Sequence, residues 1–549
     1  MLNGKYDAVL TRAVKAIKDR QFFSQYAEHP KAYGDEAMAE SEGMFTKLLD
    51  CPFDLLQDGE SGRCGEEISP LTGKKLGITY PVYTVDCLIS HAQHAQHAWG
   101  AVSISERSAL LIESLEKMKT LFFQLAHATM HTTGQGFLMS FQSSGPHAAD
   151  RALEAIAMGW RELTLFPPSV TWEKTMGKSV IRLEKTFRAV PRGVSVVVSC
   201  STFPVWNTLP GLYASLVTGN PVIVKPHPRA VLPIALVVRA IQATLVENQY
   251  DPNLCQLAPD DSTHLITKSL CNHPEVKLID YTGSTAFGNE LESIAGKTVF
   301  TEKSGVNTVI LDSMKDVQAV IQNLAFSVSL YSGQMCTAPQ NIFIPECGIK
   351  IPNGTVGYED FVQQFREAVE VLVTNPKTGP GTLGAIQNAV TMERLAMART
   401  IHGTIILESQ KPMNPEFPHA RVASPLIIAL NARDREVFEQ EFFGPVVFII
   451  KTSGTAESID LARDLALRKG AITCAAYTTD AQTMDLIAER MNEVFTPVSF
   501  NFIGNIWVNQ HAAFSDFHVT GGNPAGNASL TNPEFLEKRF VWVGNRFMT

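Results

Sequence analysis

No CxxC pair, no extended basic run and no long apolar stretch occur in this chain, and each lack removes a class of protein. The nine cysteines, at 51, 64, 87, 200, 255, 271, 336, 347 and 474, are scattered and odd in number. Neither a disulfide framework nor a zinc pattern is therefore expected, and a reduced, cytoplasmic setting is. Basic residues cluster no further than KPHPR and EKR, and the formal charge is −9, which argues against a nucleic-acid surface. The N-terminal MLNGKYDAVLTRAVKAIKDR lacks the apolar core of a signal peptide, and nothing approaches the length of a membrane span, so no membrane partner is expected. No GxGxxG fingerprint follows a strand-like run, no GK[ST] ending closes a glycine-rich loop, and there is no internal repeat. Core-forming residues are plentiful. At 549 residues with 45% hydrophobic and 18% charged, the chain can hold two or three domains around substantial cores.

Residues 1 to about 66 open with an amphipathic helical pattern at Val9, Leu10, Ala13, Val14 and Ile17, and read as an arm packed on a larger body. His91, His94 and His97 then recur every third residue. A metal stripe is conceivable at that spacing, but small alanines fill the other faces and no acidic or cysteine partner is evident, so a partly solvated helix face is expected. Beyond them, strand and helix patterns alternate: VSVVV, then LPGLYASLVTG, PVIVKP, LPIALVVRAIQATLV and VKLID. That alternation predicts a parallel sheet with helices on its faces. A second α/β series runs from NTVILD to about 500. Two α/β domains are expected to follow the arm, with a boundary near 300.

Three chemical groups stand out. Cys336 lies in LYSGQMCTAPQ, Glu302 in TEKSGVN and Asn207 in FPVWN. A thiol, a carboxylate and an amide are what is needed to form and then hydrolyse a thioester. Each also has a plain structural alternative: a small core cysteine, a solvated strand-end charge, and a helix N-cap ahead of LPGL. YTGSTAFG follows the strand VKLID and opens a helix, so Gly283 and Ser284 would present backbone N–H groups and a hydroxyl to a pyrophosphate.

In order along the chain, PLTGKKLG, HAWGAVSISER, VPRGVSVVVSCSTFPVWN, GNPVIVKP, YTGSTAFG, TEKSGVN, SGQMCTA, EQEFFGPV and WVNQH resemble the aldehyde dehydrogenase superfamily over roughly residues 67 to 549. That resemblance implies an α/β fold of two parallel-sheet domains: a dinucleotide-binding domain at 67–300, bearing a β-hairpin at about 178–192 that serves oligomerisation, and a catalytic domain at 301–505. A substrate loop and oligomerisation strand would occupy 506–549. Cys336 would be the nucleophile, Asn207 an oxyanion donor with the Cys336 N–H, and Glu302 the base that activates water. Lys225 would contact the adenosine ribose, and Glu441 and Phe443 the nicotinamide ribose and ring. The KPHPR stretch puts Pro228 where many NAD-using relatives carry a carboxylate, with His227 and Arg229 beside it, so NADP is preferred over NAD. Lys303 and Ser304 after the glutamate, and Tyr331 and Ser332 before the cysteine, depart from the family pattern.

The arm, SGQMCTAPQ and FHVTGGNPAGNASL look most like the stand-alone aldehyde dehydrogenase of bacterial phenylacetate degradation, the PaaN type. This implies a CoA-linked semialdehyde as substrate, in a funnel near Phe203, Trp206, His511 and Phe514. RFVWVGNRF and SVIRLEKTFRAV resemble subunit-pairing segments, implying a homodimer or homotetramer. Two rival readings stand: a CoA-acylating dehydrogenase, a type that usually lacks the glutamate present here, and a catalytically silent cofactor-binding protein of the same fold.

Overall fold

Short β-branched runs bounded by Gly and Pro make the strands of this α/β fold. The computed structural model describes residues 4–504, 513–514 and 517–548. Its first sheet holds five parallel strands in the order Cys255–Leu257, Val222–Lys225, Val194–Val198, Val276–Gly283, Thr298–Lys303. The earliest of these strands lies in the middle, so the chain order reverses between Val194–Val198 and Val276–Gly283. A crevice for a ligand forms at the carboxyl ends of strands at such a point.

The second sheet has seven strands, in the order Thr404–Leu407, Leu426–Asn431, Val446–Thr452, Pro339–Pro345, Asn307–Leu311, Cys474–Tyr477, Val498–Phe500. Its neighbours are parallel except for Thr404–Leu407, which runs antiparallel to Leu426–Asn431. Val309, Ile342, Ile427 and Ile449 point into one apolar cluster on this sheet, while Ile310, Phe343, Ile428 and Ile450 point into another. Alternate residues are buried on both faces, as a helix-covered parallel sheet requires. Glu302 lies near the end of the last strand of the first sheet, and Cys336 stands just ahead of Pro339–Pro345 in the second. The carboxyl edge of one sheet thus meets the amino edge of the other.

A third, antiparallel sheet differs from expectation. The hairpin is not 178–192 alone: Ser169–Met176 pairs residue by residue with Ser179–Pro191 around Gly177, and the closing strand Phe540–Met548 covers the other edge. Pro167 and Pro168 mark a break in the sequence, which hid the alternating SVTWEKTM immediately after them. The helix expected at LPGL also starts earlier, at Pro204, and runs to Val217. Proline suits the first helical turn, where its missing N–H costs nothing. Pro210 is accommodated inside the helix, and Asn207 is consequently a helical residue rather than an N-cap.

Polar caps fix the helices that precede the first sheet in the chain. Ser103 accepts from the Glu106 N–H ahead of Ile104–Lys119, and Thr84 from the Cys87 N–H ahead of Val85–Trp99. On the latter helix His94 and His97 are exposed. His91 does have a cysteine neighbour, Cys87, one turn earlier, with Nδ1 3.8 Å from Sγ.

The arm is tied down from both sides. Helix Asp7–Asp19 buries Leu10, Ala13 and Ile17, and the Ser24 hydroxyl and Gln25 N–H both donate to the fully buried Asp150 at 2.9 Å. Asp150 lies on helix Pro146–Leu163, which also carries Arg151 and Glu154. No helix among the described residues is long and apolar enough to cross a membrane.

Candidate active site

The turn before Cys336 is held in a conformation that side chains rarely adopt. Tyr331 and Ser332 both have φ of 50°, and Gly333 follows at φ 67°. A Cβ on Gly333 would strike the Gly444 carbonyl oxygen, so only glycine fits there. Non-glycine residues in the left-handed region persist where surrounding bonds over-determine them, and here they do. The Tyr331 hydroxyl donates to the Thr133 carbonyl at 2.6 Å, and the Ser332 hydroxyl to the Leu383 and Ala423 carbonyls. Gln334 donates to the Ala385 carbonyl and accepts from the Gln387 N–H. Past the turn, the Asn307 amide donates to the carbonyls of Cys336 at 2.7 Å and Ala338 at 3.1 Å, while its oxygen accepts from the Ile472 and Thr473 N–H groups. Tyr331 and Ser332, two of the residues that depart from the family pattern, thus help hold the turn ahead of the thiol in place.

Three elements distant in sequence bring polar side chains to that thiol. Asn207, from helix Pro204–Val217, donates its amide to Glu302 Oε1 at 3.1 Å. His518 Nε2 lies 3.0 Å from the same oxygen and 3.4 Å from Cys336 Sγ. The segment carrying His518 continues into residues that lace onto the Glu302 strand. There the Lys303 N–H donates to the Ala525 carbonyl, the Asn527 N–H to the Thr301 carbonyl at 3.1 Å, and the Thr301 N–H to Asn527 Oδ1. Trp206 packs edge-to-face on His518 at 4.6 Å, and the Arg151 guanidinium lies 3.6 Å from the centre of the Trp206 ring.

Charges in this pocket are set against each other. Burial alone would raise the Glu302 carboxyl, but the charge and hydrogen bond of His518, the charge of Arg151 and a hydrogen bond from Cys336 outweigh it and hold the pKa below the usual carboxylate value. Burial, and then the Glu302 charge, push the Cys336 thiol well up. Burial and the carboxylate by themselves thus favour the protonated thiol, and a neighbouring base is needed to make it nucleophilic. Polar atoms of Glu302, Cys336 and His518 lie within 4.8 Å of one another, close enough to share a cation. The Arg151 charge beside them disfavours a divalent ion, and the trio is read as an acid–base group.

Of the proposed substrate residues, Phe203 and Trp206 stand at this pocket, with Phe203 5.8 Å from the Tyr331 ring. Phe514 does not. It is fully buried in the core, edge-on to Phe23 of the arm at 4.9 Å, and its N–H donates to Glu154. His511 lies outside the described residues.

Of the cofactor candidates, Lys225, Gly283 and Ser284 lie at the carboxyl ends of strands of the first sheet, and Glu441 and Phe443 lie on the side of the second. Gly283 ends its strand and Ser284 is the N-cap of helix Thr285–Glu292. A Cβ on Gly283 would collide with the Tyr281 hydroxyl, so glycine is what lets the Tyr281 ring pack against this turn. Glu441 and Phe443 share a pocket with Cys336. Burial pushes the Glu441 carboxyl up to about 7, against a hydrogen bond from Ser304 and the charge of Arg394. The Ser304 hydroxyl in turn lies 2.8 Å from that of Thr285.

At the other end of the crevice, Lys225 Nζ is 2.6 Å from Asp260 Oδ1, with both side chains 2% exposed. Asp260 follows the neighbouring strand Cys255–Leu257 and also accepts from the Ile266 N–H at 2.9 Å. Burial drives Lys225 down and Asp260 up, toward neutrality; at 2.6 Å their attraction keeps them a charged pair. Burial, then Lys225 and Arg229, push the His227 imidazole down to about 4, so it carries no charge near neutrality. Arg229 is exposed and reaches Asn388 at 3.3 Å. A helix N-terminus at Ser284, buried carboxylates at Asp260 and Glu441 and the Phe443 ring are groups of the kind a nicotinamide dinucleotide needs.

Such a fold and crevice define a nicotinamide-dependent oxidoreductase. The chain belongs to the aldehyde dehydrogenase family, whose sequence model matches residues 57–535. It is 43% identical to an NAD-dependent aldehyde dehydrogenase from Burkholderia multivorans, whose crystal structure superposes with a TM-score of 0.97 over 100% of this chain and 99% of that one. It is 23% identical to vanillin dehydrogenase of Corynebacterium glutamicum over 89% of this chain and 95% of that protein. It is 24% identical to an NADP-dependent D-glyceraldehyde dehydrogenase of Picrophilus torridus over 89% and 94%. The protein is thus an NAD(P)-dependent aldehyde dehydrogenase acting on a small-molecule aldehyde.

Proposed function

We propose that this enzyme oxidises its aldehyde to the carboxylic acid through a thioester on Cys336, and that NAD is its preferred cofactor. The observation that carries the first part is the convergence of Cys336, Glu302 and Asn207 from three separate elements. The Cys336 thiolate adds to the carbonyl carbon, and the oxyanion is held by the Asn207 amide and the Cys336 N–H. In the resting arrangement the Asn207 amide is engaged by Glu302, so Glu302 swings aside as substrate binds. A bound nicotinamide supplies the hydride acceptor. Glu302 then takes a proton from the water that hydrolyses the thioester. The presence of Glu302 favours water over CoA as acyl acceptor.

The NADP expectation rested on the missing carboxylate at Pro228 and on cations beside it. Asp260 brings a carboxylate to Lys225 from the adjacent strand, where it repels a 2′-phosphate and suits a 2′-hydroxyl. His227 is neutral and Arg229 is turned to Asn388, so neither cation argument holds. These three facts support NAD.

For the substrate, the motif resemblance carries a CoA-linked semialdehyde from ring opening, and the wall of Phe203, Trp206 and Tyr331 suits an aldehyde with an apolar body. Val170, Val180, Val541 and Phe547 are exposed on the three-stranded sheet, and we place the subunit contact of a dimer or tetramer there. Light scattering reads the assembly. The functional test is reduction of NAD and of NADP with aliphatic, aromatic and CoA-linked aldehydes, alongside a Cys336→Ala control. Turnover favouring NAD that vanishes in the control is expected. Cofactor binding without turnover on any aldehyde would instead favour a silent relative.

A further inference from the structure

His518 was not among the residues expected at the site, yet its Nε2 is placed between the two groups that must exchange protons, 3.4 Å from Cys336 Sγ and 3.0 Å from Glu302 Oε1. A single ring nitrogen holds one proton at most. It cannot donate to the carboxylate and accept from the thiol at once, so one hydrogen position serves three heavy atoms. We propose that His518 is a catalytic base of this enzyme, taking the Cys336 proton to generate the thiolate. This rests on the reading of Cys336 as nucleophile.

In the step, the S–H bond breaks and its electron pair stays on sulfur, while an N–H bond forms at Nε2. The imidazolium then donates to the Glu302 carboxylate. A neutral thiol and imidazole become a thiolate–imidazolium pair, with no change in net charge and no outside reactant. The surroundings divide over this pair. Glu302, on strand Thr298–Lys303, favours the imidazolium. Arg151, on helix Pro146–Leu163, opposes the imidazolium and favours the thiolate. Glu154 on the same helix is engaged by the Phe514 N–H, and the Trp206 ring, which packs on His518, is uncharged. A buried thiol beside a carboxylate would otherwise stay protonated, and of the two possible bases Glu302 is the one reserved for water. The imidazole lets acylation and hydrolysis use different proton acceptors.

The arrangement is held from outside the site. His518 is 6% exposed, fixed by the Trp206 edge and by the pairing of the segment after it with the Glu302 strand.

The test reads the thiolate directly and does not depend on turnover. In the full-length enzyme, the rate of Cys336 carboxamidomethylation by iodoacetamide is followed by peptide mass from about pH 5 to 10, for the unaltered protein, His518→Gln and His518→Asn. The proposal expects the rate at pH 7 to fall at least tenfold in both variants, with the midpoint moving up toward or beyond the value of about 8.5 for a free cysteine. Calorimetric NAD binding should change less than twofold. Unchanged rates and profiles in either folded variant would overturn it.

Thiolate absorbance of the unaltered enzyme, measured against Cys336→Ala, is a reading that needs no histidine variant. A signal already present near neutrality is expected, and one that appears only above about pH 8.5 overturns the proposal. Failure of the dehydrogenase reading would show separately, as absent cofactor reduction in an enzyme whose Cys336 alkylation still slows in both histidine variants.

Discussion

Two buried pairs of opposite character mark the two ends of the cofactor crevice. At the adenosine end, Lys225 and Asp260 sit 2.6 Å apart with almost no exposure; each would become neutral alone, and together they form a fixed charge pair. At the reacting end, His518 and Glu302 are 3.0 Å apart, but a thiol stands within reach of the same imidazole nitrogen, so the proton there can move. In the proposed mechanism the fixed pair selects what binds, and the movable one takes part in what reacts. The difference lies in the third group rather than in burial.

Substitutions at the two ends should therefore separate turnover from binding. Cys336→Ala is expected to lower kcat by about four orders of magnitude or more, as removal of a covalent nucleophile does, with cofactor affinity retained in a calorimetric titration. Asn207→Ala should cost about a hundredfold to a thousandfold in kcat and leave the KM for cofactor nearly unchanged. A loss confined to KM would place the amide in binding instead. At the other end, Asp260→Asn keeps the shape and removes the charge. The NADP-to-NAD ratio of kcat/KM should rise about tenfold, equivalent to about 1.4 kcal/mol, and a ratio that does not move would leave the choice of cofactor unexplained by this pair.

Glu441 provides the smallest effect. Its carboxyl, raised to about 7, accepts more strongly from ribose hydroxyls once ionised, so the KM for cofactor should fall a few-fold as the pH rises from 6 to 8. Glu441→Gln should flatten that dependence.

Cys336, Glu302 and Asn207 could be found in the sequence because each sits in its own short motif. Gly283, Lys225 and Glu441 likewise follow recognisable strands or turns. Asp260 and His518 had no such signal: both act on partners remote in the chain, and nothing in CQLAPDD or FHVTGG marks a side chain for a neighbouring strand or thiol. His511, seven residues earlier, was as plausible a choice on sequence alone. Asn307 was overlooked for the same reason, since its work is to pin backbone carbonyls. Tyr331 and Ser332 were noticed as departures, but their left-handed backbone became intelligible only with the hydrogen bonds that enforce it. The two sheets were readable from alternation of strand and helix, whereas the first strand of the hairpin was hidden behind two prolines.

The central claim is that an acyl group passes through Cys336 and leaves by way of Glu302. The most direct measurement is the intact and peptide mass of Glu302→Gln, quenched within seconds of mixing with aldehyde and NAD. The account predicts an acyl adduct on the Cys336 peptide, matched by an equal amount of reduced cofactor and released slowly by water. Cofactor reduction with no adduct on Cys336, or an adduct on another cysteine, would contradict it.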